Sequence, residues 1–294
     1  MINYRKNGLE LLSLWTDDGH LFAGWSKRTK VLFHSTFCEL RIRLLKCLTP
    51  HCTHVKKRGG VKGTVRWLYR RLNDFSFVAR FDIASYYNSI NHSILLNLLR
   101  TEICSDDLYD IVRNYIQMPD YRNTGKGIVA GGSISPLLGA LYLLPLDREM
   151  YKYVSSDRIF YIRYMDDIII LSKTRWHLRK AICMLNKTIL SLDLTLHKQK
   201  KFIGRINKGF DFLGYTFKPG RKLRPSDISL RRFAEHACRL YEQGADYNQF
   251  RQYVTRWLSY IHGGLNGLVS RKGGIKHYLV FILKQLDIKN IQKI

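Results

Sequence analysis

Acidic residues are scarce in this chain. Its 294 residues include 23 Asp and Glu against 49 Lys and Arg, for a net charge of +26. So basic a chain points to a polyanionic partner, nucleic acid ahead of a membrane surface. Paired cysteines are missing too. The six, at positions 38, 47, 52, 104, 183 and 238, form no C-x-x-C pair and no regular spacing. That argues against a disulfide scaffold and, with no secretory leader in view, predicts reduced thiols in a cytoplasmic protein. Cys47, His51, Cys52 and His54 are crowded too tightly along the chain to fold round one tetrahedral zinc ion. No clean membrane span is present. Residues 127–146 lack charge, but glycines, serines and two prolines interrupt them, so no membrane partner is expected. Internal repeats and low-complexity tails are lacking as well.

What is present centres on Tyr161–Ser172, YIRYMDDIIILS. Short aromatic and β-branched flanks on either side of Asp166 and Asp167 predict a hairpin with the acidic pair at its tight turn. Presenting two like charges at one point costs stability unless a cation binds there, and magnesium takes carboxylate oxygens plus substrate phosphates. Upstream, FVARFDIASYYNSINH predicts a strand that ends at Asp82. Asp82 and the Asp166–Asp167 turn are expected to share two Mg2+ ions, with Mn2+ as the alternative, about 4 Å apart for in-line phosphoryl transfer. Ile83, next to Asp82, is placed in the same metal set. Between the two acidic segments, GGSISPLLGALYLLPLD begins at Gly131 as a small-residue loop that lets a nucleotide approach the backbone, then continues as an apolar helix.

These blocks carry a resemblance. FD-x-x-x-YY-x-SI-x-H, GG-x-x-SPLL-x-x-LY-x-x-x-LD, YMDD and GFDFLGYTF stand in order over Phe77–Phe217. In order and spacing they resemble bacterial reverse transcriptases related to group II intron enzymes. The resemblance implies an α+β right-hand polymerase with fingers, a palm of antiparallel sheet packed on helices, and a helical thumb. Its expected divisions are 1–76 for the N-terminal fingers, 77–217 for the palm with an interleaved finger segment, and 218–294 for the thumb. It implies an RNA-directed DNA polymerase that takes an RNA template and makes a DNA strand. Tyr87, five residues after Asp82, would exclude a ribose 2′-hydroxyl; Tyr87 and Met165 together point to DNA synthesis. Lys200 falls on the family's lysine after the catalytic hairpin and would protonate the leaving pyrophosphate. Lys56, Lys57, Arg58 and Lys62 are expected to meet phosphate. Phe212, Leu213, Gly214 and Tyr215 would grip the primer, and Arg231, Arg232 and Arg256 would hold the duplex backbone.

The chain departs from the family in places. Ala130 stands where many relatives carry glutamine ahead of Gly131, and the usual first finger motif is not found. Marker motifs of retrons are not found either. The remaining likeness is to minimal stand-alone bacterial reverse transcriptases, several groups of which act in antiphage defence with a structured non-coding RNA. Two other readings share the motifs: a maturase-like RNA-binding module with a vestigial polymerase site, and an untemplated or protein-primed DNA polymerase.

Along the chain, residues 1–30 show no periodicity and predict an extended arm. Helices are expected over 31–48, up to 72 after a basic loop, over 93–100, 106–116, 135–153, 174–192, 247–261 and 275–286. A further helix is capped by Ser226 or Asp227. Residues 194–206 read as strand-rich, and 210–217 as an aromatic hairpin.

Overall fold

The computed structural model describes residues 4–6, 8–103, 105–154 and 157–270. They form two compact units: Met1–Gly60 with Val78–Ile203, and Val61–Phe77 with the chain from Gly204 onward.

The first unit opens on a surprise. In place of an extended arm, β1 (Tyr4–Lys6), β2 (Leu9–Asp17) and β3 (His20–Trp25) form an antiparallel sheet in the order β1-β2-β3. Asp18 (φ 45°) and Gly19 (φ 74°) turn the β2–β3 hairpin, the Asp-Gly pair supplying the two positive φ angles that a tight hairpin needs. Helix α1 (Lys27–Cys47) starts from Ser26, whose hydroxyl accepts the Thr29 N–H, and buries Phe33, Leu40 and Leu44. After α2 (Gly60–Arg71), assigned to the second unit from Val61, come β4 (Phe77–Phe81), α3 (Tyr86–Ser89), α4 (His92–Ile103) and α5 (Asp106–Gln117).

The long helix expected over 135–153 is two: α6 (Ser135–Tyr142) and α7 (Leu144–Val154). Pro145 has no N–H to continue the ladder, and its ring would strike the carbonyl four residues back, so the break falls at Leu143. Strands β5 (Ile159–Tyr164) and β6 (Asp167–Ser172) follow, then α8 (Arg175–Ser191) and β7 (Phe202–Arg205). The central sheet has the order β5-β6-β4-β7. It sets the β5–β6 turn and the end of β4 side by side. The region expected to be strand-rich is mostly irregular; before β7 only Leu196 makes a bridge, to Ile83.

The second unit carries β8 (Phe210–Phe212), β9 (Tyr215–Phe217) and β10 (Arg224–Pro225), in the order β10-β9-β8. Ser226 caps α9 (Asp227–Glu242), and a reciprocal Asp246–Gln249 capping box starts α10 (Tyr247–His262). Phe233, Ala237, Phe250 and Val254 lock these two helices together. The helix expected at 275–286 lies outside the described residues. Among those residues, no helix is long and apolar enough to cross a membrane.

Candidate active site

Strand β4 delivers Asp82, 7% exposed, at its C-terminal end. Strands β5 and β6 pair from Ile159↔Ser172 to Tyr164↔Asp167, which leaves Met165 and Asp166 as the turn. Asp167 is therefore the first residue of β6 rather than a turn residue. Burial raises the Asp166 carboxyl above its ordinary range, with repulsion from Asp82 adding to it. Burial likewise lifts Asp167 to about 6, opposed by Arg80 and reinforced by Asp166 and Asp82. Asp167 Oδ1 is buried without a hydrogen-bond partner, and Arg80 Nη2 lies 3.6 Å from it.

Lys200 Nζ sits 3.1 Å from Asp82 Oδ2. The local chain explains how an exposed lysine is aimed there. The His197 N–H donates to the Asp82 carbonyl (2.7 Å). The His197 Nδ1 then accepts the backbone N–H groups of Gln199 and Lys200 at 3.2 and 3.3 Å. Ile83, fully buried beside Asp82, is fixed by its bridge to Leu196.

Beneath the turn lies a polar network that sequence reasoning missed. Met165 has φ 54°, a left-handed conformation that costs a side-chain-bearing residue about 1–2 kcal/mol. Both of its backbone groups are held. Arg163 Nη1 donates to the Met165 carbonyl (2.8 Å), and the Met165 N–H donates to His54 Nδ1 (3.1 Å). His54 Nε2 in turn donates to the Pro136 carbonyl (3.1 Å). Arg163 is wholly buried, and its Nε and Nη2 donate to the Asp147 carboxylate at 2.9 and 2.5 Å. Tyr161 adds a third donor to Asp147 at 2.6 Å. Burial opposes the Arg163 charge, and Asp147 more than offsets it, so its pKa rises. Burial pulls His54 down to about 4, with the Arg163 charge adding to it. The sequence signal was there: an arginine inside an otherwise apolar strand has to be paired. Cys52 belongs to the same network, its sulfur 3.2 Å from Arg163 Nη2.

Tyr86 and Tyr87 part company. Tyr86 is core, its hydroxyl donating to the Gly139 carbonyl at 2.6 Å. Tyr87 is half-buried, its hydroxyl has no hydrogen-bond partner, and its pKa is raised by burial, then by Tyr115 and Asp166. Nearby, the Ala130 N–H donates to the Leu21 carbonyl on β3 (2.6 Å), so the N-terminal sheet helps hold the loop ahead of α6. Gly131 is exposed with φ 67°, and a Cβ on Gly132 would come within 1.8 Å of the Tyr115 hydroxyl. That hydroxyl is itself fixed 2.8 Å from Ser135 Oγ.

Of the four basic residues expected to meet phosphate, Lys56 and Lys57 are exposed. The other two are engaged internally. Arg58 Nη2 donates to the Leu45 and Leu48 carbonyls at 2.8 and 3.1 Å and closes the end of α1. Within the second unit, Lys62 donates to the Tyr215 hydroxyl and the Tyr260 carbonyl, and its ammonium stands 5.0 and 4.2 Å from those two ring centres. Burial lowers its pKa to about 8. In the expected primer grip, Phe212 and Tyr215 are each 1% exposed and serve as core. The turn presents Leu213 (φ 47°) and Gly214 (φ 82°). Arg231, Arg232 and Arg256 are all exposed.

Residues 44–217 match the family described as reverse transcriptase (RNA-dependent DNA polymerase). Protein YkfC of Escherichia coli K12 is 24% identical over 239 residues, covering 69% of this chain and 56% of that protein. The chain thus spans little more than half of that relative's length. Apo telomerase from Candida tropicalis is similar in structure with a TM-score of 0.57 at 10% identity, over 94% of this chain and 61% of that one. Telomerase from Candida albicans, solved with a TWJ fragment of telomeric RNA, gives 0.52 at 10% identity, over 87% and 51%. At these identities the likeness is one of fold, the right-hand polymerase fold that the motifs implied. The family match covers more than half of the residues and includes Asp82, Asp166, Asp167 and Lys200; the chain belongs to the reverse transcriptase family.

Proposed function

We propose that the chain is an RNA-directed DNA polymerase that works by two-metal nucleotidyl transfer. The observation that carries this reading is the meeting of Asp82, Asp166 and Asp167 from adjacent strands of one sheet, with Lys200 paired to Asp82. Burial and the neighbouring carboxylates raise Asp166 and Asp167, so a cation is favoured beside them, and Asp167 Oδ1, which has no hydrogen-bond partner, is a ready ligand. Carboxylate oxygens suit magnesium, which keeps several waters and takes one or two carboxylates plus substrate phosphates. Asp82, Asp166 and the backbone of Ile83 would hold the ions, with Asp167 in support. When bound, the ions supply activation of a primer 3′-hydroxyl and neutralisation of a departing pyrophosphate.

The chain's own residues do the rest. Lys200 stands ready to give the pyrophosphate its proton. Tyr87 offers a ring edge against a 2′-hydroxyl, and Gly131 lets the nucleotide approach the backbone. The network under Met165 holds Asp166 in place. An RNA template and a DNA product account for the excess of basic residues. A structured non-coding RNA, as in defence-associated relatives, is the natural template or partner.

The test is primer extension on a primed RNA template with Mg2+. Asp82→Asn and Asp166→Asn should each abolish nucleotide addition while leaving RNA binding nearly intact, because each removes a metal oxygen and no cation. Near wild-type extension by either variant would reject the assignment. Sequencing the products made with and without template separates templated synthesis from untemplated addition.

A further inference from the structure

At the end of the β5–β6 hairpin away from the catalytic turn lies a second feature that the polymerase reading does not use. Strand β6 runs from Asp167 to Ser172, roughly 17 Å at about 3.3 Å per residue. Beyond it, the first two turns of α8 meet the end of α7 and the start of β5. Lys180 Nζ lies 5.6 Å from the Tyr153 ring centre and 5.3 Å from that of Trp176. Trp176 meets the His177 ring edge-on at 4.8 Å, and Arg158 Nη1 lies 3.2 Å from His177 Nε2. The result is a continuous row of ring, cation, ring, ring and cation built from three elements.

Fold stability gives this row little reason to exist. Trp176 is 63% exposed. Helix α8 contains no acidic residue and carries Arg175, Arg179 and Lys180 near its N-terminus, where the helix dipole disfavours cations. Among the described residues, neither Arg175 nor Arg179 has an acidic partner. Exposed aromatic faces interleaved with cations are what unpaired nucleotides need: bases stack on the rings while phosphates meet the charges. A paired duplex keeps its bases stacked inside and would leave Trp176 idle.

We propose that the Tyr153–Lys180–Trp176–His177–Arg158 row is a docking surface for a single-stranded stretch of RNA, separate from the polymerase site. The polymerase reading enters only in the choice of RNA over DNA.

The experiment uses the full chain, its cleft saturated with an unlabelled short primer–template hybrid, and a labelled oligouridylate of roughly ten nucleotides. Trp176→Ala and Lys180→Ala should each weaken oligouridylate binding, the tryptophan change by about 5- to 150-fold, and Trp176→Phe should retain most of the affinity. Extension of the hybrid should be unchanged in all three. Unchanged oligouridylate affinity in Trp176→Ala would overturn the proposal, as would an equal loss for fully paired RNA. A preference for oligodeoxythymidylate would assign the surface to the product strand and overturn the choice of RNA. Failure of the wild-type protein to extend the hybrid would count against the polymerase reading alone, because the binding comparison does not depend on extension.

Discussion

Lys200 differs from Lys198 and Lys201 in where its charge goes. It alone of the three pairs with Asp82 among the described residues, on a loop that His197 folds toward the carboxylate. Lys200→Ala should therefore cut the single-turnover rate at saturating nucleotide by about 10²- to 10⁴-fold and alter its pH profile. Lys198→Ala and Lys201→Ala should act mainly through affinity; equal, salt-sensitive losses at all three would leave Lys200 no special role. Tyr87 stands apart from Tyr86 in the same way, being the half-buried member of the pair. Tyr87→Val should admit ribonucleotides in single-nucleotide incorporation, and unchanged discrimination would move the gate elsewhere. His54 makes a pH-dependent prediction. Its folded pKa is about 4 against an ordinary 6.5, so between those values the unfolded chain binds more protons and acidification favours unfolding. From pH 7 to pH 5 this should cost about 2 kcal/mol. Asp167, raised to about 6, shifts stability the opposite way over part of the same range. Comparing the wild type with His54→Asn isolates the histidine, and the variant should lose less stability than the wild type on acidification. Asparagine keeps an acceptor near the place of Nδ1, so it should also retain more activity than His54→Ala.

At the scale of elements, the catalytic hairpin was readable because its signal is local. An aromatic and β-branched run and an aliphatic run flank a polar pair, which marks the hairpin, although the turn falls one residue earlier than expected, on Met165 and Asp166. The N-terminal sheet was not read, although Asp18-Gly19 is a hairpin turn sequence; Leu12 and Trp15 are exposed, so strict alternation is blurred. The break between α6 and α7 was signalled by Pro145 and hidden by an apolar run buried on every side. Arg58 and Lys62 misled for a different reason. Long basic side chains bury their stems and turn their heads to carbonyls or rings, and sequence does not show which carbonyls will be near. Arg163 and Asp147 come from separate elements and become a pair only once β5 meets α7. Arg163→Leu should destabilise the protein by about 3–5 kcal/mol, because it strands a buried carboxylate. The double variant Arg163→Leu/Asp147→Leu should recover much of that loss in thermal unfolding. It should still polymerise poorly, because the Met165 carbonyl has lost its donor. Full activity in the double variant would mean that the network serves stability alone.

At the scale of the whole molecule, a net charge of +26 is a claim about affinity. Not every cation contributes to it. Arg58, Lys62 and Arg163 spend their donors on carbonyls, rings and a carboxylate inside the protein. Arg231, Arg232 and Arg256 are exposed on α9 and α10. If phosphate contacts dominate binding, affinity for a hybrid duplex should fall by roughly 0.7–0.9 log units per tenfold increase in salt for every phosphate neutralised. Changing one of the three exposed arginines to Gln should reduce that slope by about one such increment, with little effect on thermal stability. Lys62→Gln should do the reverse. It removes a cation from between Tyr215 and Tyr260, so it should lower the unfolding temperature and leave the salt slope unchanged. The two measurements together separate the basic residues that hold nucleic acid from those that hold the fold. A flat salt profile in the wild-type protein would mean that the charge excess serves something other than a nucleic-acid backbone.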